Sequence, residues 1–228
     1  MPARGHARSR HHPGREDVNA VFARFQTMRP MPDTDVSEAR RLELADILRR
    51  HAGYSGAYYL VSGPSALRAL VTLWSTEEDA RLASERTRAA SGGGPRPVTV
   101  EEDTIYEVID DEAGAADGAD PDVADVIAFD GPMTDAARSA ADHANRRRIM
   151  PAVRALPGTV RLLVLWDRLA RSIRVLHLAN DPATLDAVPQ TVHDTEPGED
   201  EDPALLSRPD RVDRWDVAGA DVPTTAVR

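Results

Sequence analysis

Apolar and polar positions along the chain change period several times, and each change marks an element. Val18 to Phe25 (VNAVFARF) reads as a strand rich in β-branched and aromatic residues. After Pro30 and Pro32, Leu44, Ile47 and Leu48 fall at helical spacing, with Asp35 and Glu38 placed as a capping box and Gly53 as the stop. Strands follow at 56–61 and 66–74, joined by the polar turn Ser62-Gly63-Pro64-Ser65. Ser75 and Glu78 then predict a capped helix reaching about Ala90. The Gly-rich loop after it leads to a strand from Val98 to Ile109. The predicted order is βαββαβ.

The same order returns downstream. Strands are expected at 123–129, 160–166, 173–178 and 212–217. Thr134 or Asp135 caps a helix that Pro151 kinks or restarts, and Asp181-Pro182 opens a short helix that Pro189 breaks. Subtraction supports a repeat: Val21-Phe22-Ala23 aligns with Val126-Ile127-Ala128, Leu67-Arg68 with Ile173-Arg174, and Tyr106-Glu107-Val108 with Trp215-Asp216-Val217. The domain reading is a disordered basic arm at 1–16, a first unit at 17–110, an acidic linker at 111–121, a second unit at 122–218 and a tail at 219–228. A βαββαβ unit leaves one sheet face bare, and a second unit can cover it. The fold class is therefore α+β: two tandem ferredoxin-like units packing sheet to sheet.

Composition narrows the chemistry. The 228 residues carry a net charge of −10, so a nucleic-acid partner is disfavoured. There is no cysteine, which removes disulfides and thiolate chemistry, and no lysine, which removes Schiff-base catalysis. All-Arg usage points to a GC-rich genome of the actinobacterial kind. No apolar run reaches the length of a membrane span and no signal peptide is evident, so no membrane partner and a cytoplasmic location are expected. Nucleotide-binding glycine motifs, zincin motifs and the nucleophile elbow are absent, and neither acidic run has the spacing of a calcium hand; no cofactor and no metal are expected.

Three stretches carry a resemblance. ALVTLWSTEEDA (Ala69–Ala80) is a strand ending in Trp followed by an acidic capped helix. ALPGTVRLLVLWD (Ala155–Asp167) is a helix-to-strand passage, and TIYEVID (Thr104–Asp110) is a closing strand. Together they resemble the antibiotic biosynthesis monooxygenase branch of the dimeric α+β barrel superfamily, over about residues 17–110 and 122–218. The resemblance implies a barrel made from two units, here within one chain, standing as a monomeric pseudo-dimer or a homodimer. It also implies a cofactor-independent monooxygenase acting on a phenolic or polyketide-type molecule; the alternative is a non-catalytic barrel that binds a small hydrophobic or phenolic ligand. In the haem-degrading branch a Trp, an Asn and a helix His act together. Trp74 matches the Trp and Asn19, on the first strand, is the candidate for the Asn, but helix 75–90 holds no His. Haem degradation is not implied.

The candidate site residues are few. His177 sits on an apolar strand in register with Ile173 and Val175, where it is either a general base or a satisfied core histidine. Asn19, Tyr59 and Trp74 are candidates for substrate contact, with Trp74 equally readable as core. Tyr58 and Tyr59 must face opposite ways. Val160, Leu162, Val164 and Trp166 are expected to share a face. Arg68 and Arg174 are expected to be equivalent and to pair with a neighbouring strand's carboxylate. Arg146-Arg147-Arg148 reads as a solvated helix face among acids, and His143 as solvent-facing or structural.

Overall fold

The structure is a computed structural model, and it describes residues 21–31, 37–63, 67–90 and 98–222. The described residues hold eight strands: β1 (Val21–Pro30), β2 (Tyr54–Val61), β3 (Arg68–Trp74), β4 (Val98–Ala113), β5 (Val123–Phe129), β6 (Thr159–Asp167), β7 (Ser172–Ala179) and β8 (Arg211–Asp221). They close into one antiparallel barrel in the order β1-β3-β2-β8-β5-β7-β6-β4. Within each half the order is that of a ferredoxin-like unit. The halves join edge to edge through β2–β8 and β4–β6 rather than by stacking separate sheets. A closed barrel leaves no unpaired edge.

Alternation divides each strand between two cores. Inward residues, including Phe25, Tyr58, Val71, Tyr106, Leu163, Leu176 and Trp215, fill the barrel. Outward residues pack under helices: α1 (Glu38–Leu48) and α2 (Glu77–Ala90) over the first unit; α3 (Asp135–Ala144), α4 (Met150–Arg154) and α5 (Pro182–His193) over the second. Tyr58 faces in and Tyr59 out, as adjacency requires. No described helix is long and apolar enough to cross a membrane.

Several local expectations change. The helix caps are Ser37 and Thr76, not Asp35 and Ser75. Ser37 Oγ accepts from Arg40 N–H, and Thr76 Oγ1 accepts from Asp79 N–H. Asp35 itself lies outside the described residues, as do the basic arm and the last six residues. Thr134 and Asp181 cap as expected. Pro189 does not break α5, which runs through it to His193. Between α3 and α4, residues Asn145–Ile149 form a π-helical turn, where Met150 N–H reaches back to Asn145 C=O. Pro151 cannot donate to a preceding carbonyl, and the wider turn precedes it.

The acidic stretch is not a free linker. β4 runs on through Ala113 alongside β6, and its carboxylates meet arginines of the second unit: Asp110 with Arg146, Asp111 with Arg161, Glu112 with Arg154. Residues 114–116 then bond back to the second unit, with Gly114 N–H on Val160 C=O. A Cβ at Gly114 would stand 2.1 Å from the Thr159 carbonyl oxygen, so only glycine fits.

Register also corrects the repeat alignment. Ala23 pairs with Tyr106 and Ala124 with Trp215, so Ala23 corresponds to Ala124 rather than Ala128. Tyr58 pairs with Val71 and Leu163 with Leu176, so Arg174 corresponds to Ala69, not to Arg68. Arg174 reaches into the barrel, over Phe25 and Tyr106, and pairs with Glu102 of β4 at 2.8 Å. The expected carboxylate partner is present there. Arg68 Nε is buried without a hydrogen-bond partner among the described residues.

Candidate functional site

The outer sheet face of the second unit does not pack fully against its helices. A cavity of about 990 Å³ lies between β5–β8 on one side and α3, the π turn, α4 and α5 on the other. Phe129, Met133, Met150, Val164, Ile173 and Val188 make most of the wall apolar. The segment Leu206–Pro209 forms part of the rim. This volume lies at the upper end of small-molecule sites.

One polar strip crosses that wall. On β7, His177 is 1% exposed and lies on the same face as Ile173 and Val175. Its Nε2 is 3.0 Å from Thr159 Oγ1, and the Thr159 hydroxyl donates to Val153 C=O at 2.9 Å. Thr159 reaches this position beside an irregularity in β6. The register with β7 shifts between Thr159 and Arg161, so Val160 turns into the barrel instead of sharing a face with Leu162, Val164 and Trp166. On the other side, His177 stands directly across from Asp125 of β5, which is itself across from Arg214 of β8. Arg214 donates to both Asp125 oxygens, at 2.7 and 3.1 Å, and to Asp186 of α5 at 2.8 Å. His177 Nδ1 is buried and has no partner among the described residues.

The electrostatics follow from this packing. Burial pushes the His177 imidazole down to about 4; Asp125 works against that shift and Arg214 with it. The ring is neutral at pH 7. Arg214, held by Asp125, is raised above its ordinary value. A neutral imidazole beside an apolar cavity can accept a proton or a hydrogen bond from a ligand. Among the described residues, no group of three or more His, Asp and Glu side chains could hold a metal ion.

The π turn bounds the cavity with Arg148. Its Nε donates to Glu201 and its Nη1 to Thr195 at 2.7 Å, tying the acidic segment after α5 across the helices. His143 and Arg147 both pair with Asp200 of that segment. The arginine run thus faces acids, as its composition implied, but Arg148 is mostly buried. His143 is half-exposed with a structural partner.

The other candidate residues lie elsewhere. Trp74 is fully buried in the first unit, donates Nε1–H to Thr72 Oγ1 at 2.7 Å and stacks edge-on against Tyr54. Tyr59 packs under α1 with Arg41 over its ring, and burial pushes its phenol up to about 12. Neither borders the cavity; both pack within the first unit's helix-covered clusters. Asn19 lies outside the described residues. In the first unit the register equivalents of His177 and Asp125 are Thr72 and Arg24. Arg24 pairs with Asp103 and also donates to Ala80 C=O of α2 at 2.8 Å, so there the strip is closed over by a helix. Asp125, Thr159 and Arg214 had no signal in the sequence: each is a common polar residue made special by its strand neighbour.

No known family profile matches the sequence, and no curated protein matches it. Solved structures do. A provisionally named monooxygenase of Fusobacterium nucleatum subsp. nucleatum aligns with a TM-score of 0.63 at 9% identity, covering 91% of this chain and 96% of that one. An anthrone oxidase-like protein aligns at 0.51 and 14% identity, covering 92% and 98%. A chlorite dismutase variant of Candidatus Nitrospira defluvii aligns at 0.56 and 12% identity, covering 87% and 90%. Nearly whole chains superpose although few residues match, and such likeness speaks for architecture alone. The protein shares the fold of these structures, an α+β barrel of eight antiparallel strands whose two ferredoxin-like halves both come from one chain.

Proposed function

We propose that the second-unit cavity binds an apolar aromatic molecule carrying a phenolic or enolic hydroxyl, and that the protein oxygenates it without a cofactor. The observation that carries this reading is His177, which lines a large apolar cavity and whose buried Nδ1 has no hydrogen-bond partner among the described residues. The similarity to proteins named as a monooxygenase and as anthrone oxidase-like supports the reaction class. In this reading His177 takes a proton from an activated CH₂ group of an anthrone-type ligand. The carbanion passes one electron to O₂, and the two radicals join to form a C–O bond. His177 returns its proton to the peroxide, which collapses to a ketone and water. One O₂ is consumed, one oxygen atom enters the product and the other leaves in water. Asp125 stabilises the imidazolium while it is charged, and the apolar wall excludes bulk water.

A second reading, a binding barrel without catalysis, is favoured by one observation: burial leaves His177 a weak base at pH 7. Oxygen uptake in the presence of anthrone separates the two. Catalysis predicts one O₂ per anthrone, and a loss of about 100-fold or more in His177→Gln, the usual size of a general-base contribution. Tight anthrone binding with no oxygen uptake above background would leave only the binding reading.

A further inference from the structure

We infer that Thr159 and Arg214 are positioning residues that together fix His177 as the tautomer protonated on Nε2, leaving Nδ1 a buried acceptor without a donor, on a side chain that lines the cavity. The inference deepens the reading above and rests on it only for what the ligand does with that acceptor. Thr159 has one hydroxyl proton and two neighbours within reach, Val153 C=O at 2.9 Å and His177 Nε2 at 3.0 Å. If the proton goes to Val153, the oxygen accepts from Nε2–H and every proton has a partner. If it goes to Nε2, the imidazole proton must sit on Nδ1, buried with no acceptor. Buried orphan N–H groups are rarer than orphan lone pairs.

Asp125, the cross-strand neighbour of His177, is the carboxylate placed to rescue that second arrangement. Arg214 turns the carboxylate away from the ring by drawing both its oxygens into a two-pronged pair, Arg214 is itself held from α5 by Asp186, and His177 Nδ1 has no hydrogen-bond partner among the described residues. Thr159 therefore selects the tautomer from one side, and Arg214 keeps Asp125 from reversing it on the other. The first unit has no such device, because Thr72 there receives the Trp74 indole proton.

The test is long-range ¹H–¹⁵N NMR on the full chain labelled with ¹⁵N-histidine and free of ligand, with His177→Gln assigning the resonances. Wild type is expected to show a pyridine-type Nδ1 and a pyrrole-type Nε2. Thr159→Ser keeps this pattern and Thr159→Val averages the two nitrogens. Arg214→Met makes Nδ1 pyrrole-type as Asp125 becomes free to accept, and raises the His177 titration midpoint. Anthrone affinity falls about tenfold or more in Thr159→Val and Arg214→Met and is retained in Thr159→Ser, the scale of one buried hydrogen bond. A pyrrole-type Nδ1 in wild type overturns the inference, as does an unchanged tautomer in Arg214→Met. If Thr159→Val does not fold, wild type, Thr159→Ser and Arg214→Met decide the matter. The expected tautomer without any anthrone binding would sink the proposed function and leave this inference standing.

Discussion

His177 and Trp74 show how much one side chain's surroundings decide. Both are large, buried and set on apolar strands. Trp74 has its single donor satisfied two residues away, and its surface is covered by Leu48, Ala80, Ala83 and Tyr54. Trp74→Ala is expected to cost about 3–5 kcal/mol in urea unfolding while leaving anthrone binding at the other unit unchanged. His177 is different because its burial is linked to pH. Its pKa is about 4 in the folded state and near 6.5 when unfolded, so between those values the unfolded chain binds the extra proton. Stability therefore rises with pH from about 4 to about 6.5 and is flat above, by about 3 kcal/mol in all. Asp125 on β5 and Arg214 on β8 act on the ring directly, and the other ionisable side chains lining the same cavity include Asp186 and His193 on α5, Arg148 on the π turn and Asp142 on α3. Urea midpoints of wild type and His177→Gln, compared across this range, isolate the component. An equal pH dependence in both would show that burial does not hold the ring neutral.

At the scale of elements, the helical layer over the second unit leaves room for a cavity. The π turn widens the helix before Pro151 and brings Arg148 to the cavity, where Glu201 and Thr195 hold it. The Glu201 side chain is only 4% exposed, so this pair is unlike the many surface ion pairs of the chain, whose worth is small. Removing one partner leaves the other buried and unpaired. Arg148→Met is expected to lower the opening free energy of the segment after α5 by about 3 kcal/mol, read as faster amide exchange there with unchanged exchange in β1–β3. Gly114 is a second element-scale constraint. Gly114→Ala forces its Cβ against the Thr159 carbonyl. It should destabilise by about 2 kcal/mol or more in thermal unfolding, and by displacing Thr159 it should also weaken anthrone binding.

For the whole molecule, the two units are expected to unfold as one. They share two full ladders, β2–β8 and β4–β6, and a single barrel core to which both contribute. Calorimetry is expected to give one transition with equal calorimetric and van't Hoff enthalpies. Leu60→Ala, next to the β2–β8 seam, should lower protection in both units together. Two separated transitions would contradict a shared core.

What the sequence determined by itself is the set of elements and their order. Period-two runs, capping residues and Gly/Pro stops are local signals, so the strands, the helices and the βαββαβ plan were legible, and so was His177 as a polar residue on an apolar face. The tertiary structure decided what depends on neighbours distant in the chain. Register moved the repeat alignment, because cross-strand hydrogen bonds rather than chance identities set which residues correspond. The acidic stretch at 110–113 became a seam strand, because only the fold brings Arg146, Arg154 and Arg161 opposite it. Pro189 was absorbed into α5, whose path is held by packing. That Thr159, Asp125 and Arg214 surround His177 in the cavity wall follows from a shifted register in β6 and from two cross-strand pairs. Those are long-range contacts, and a reading that runs along the chain carries no record of them.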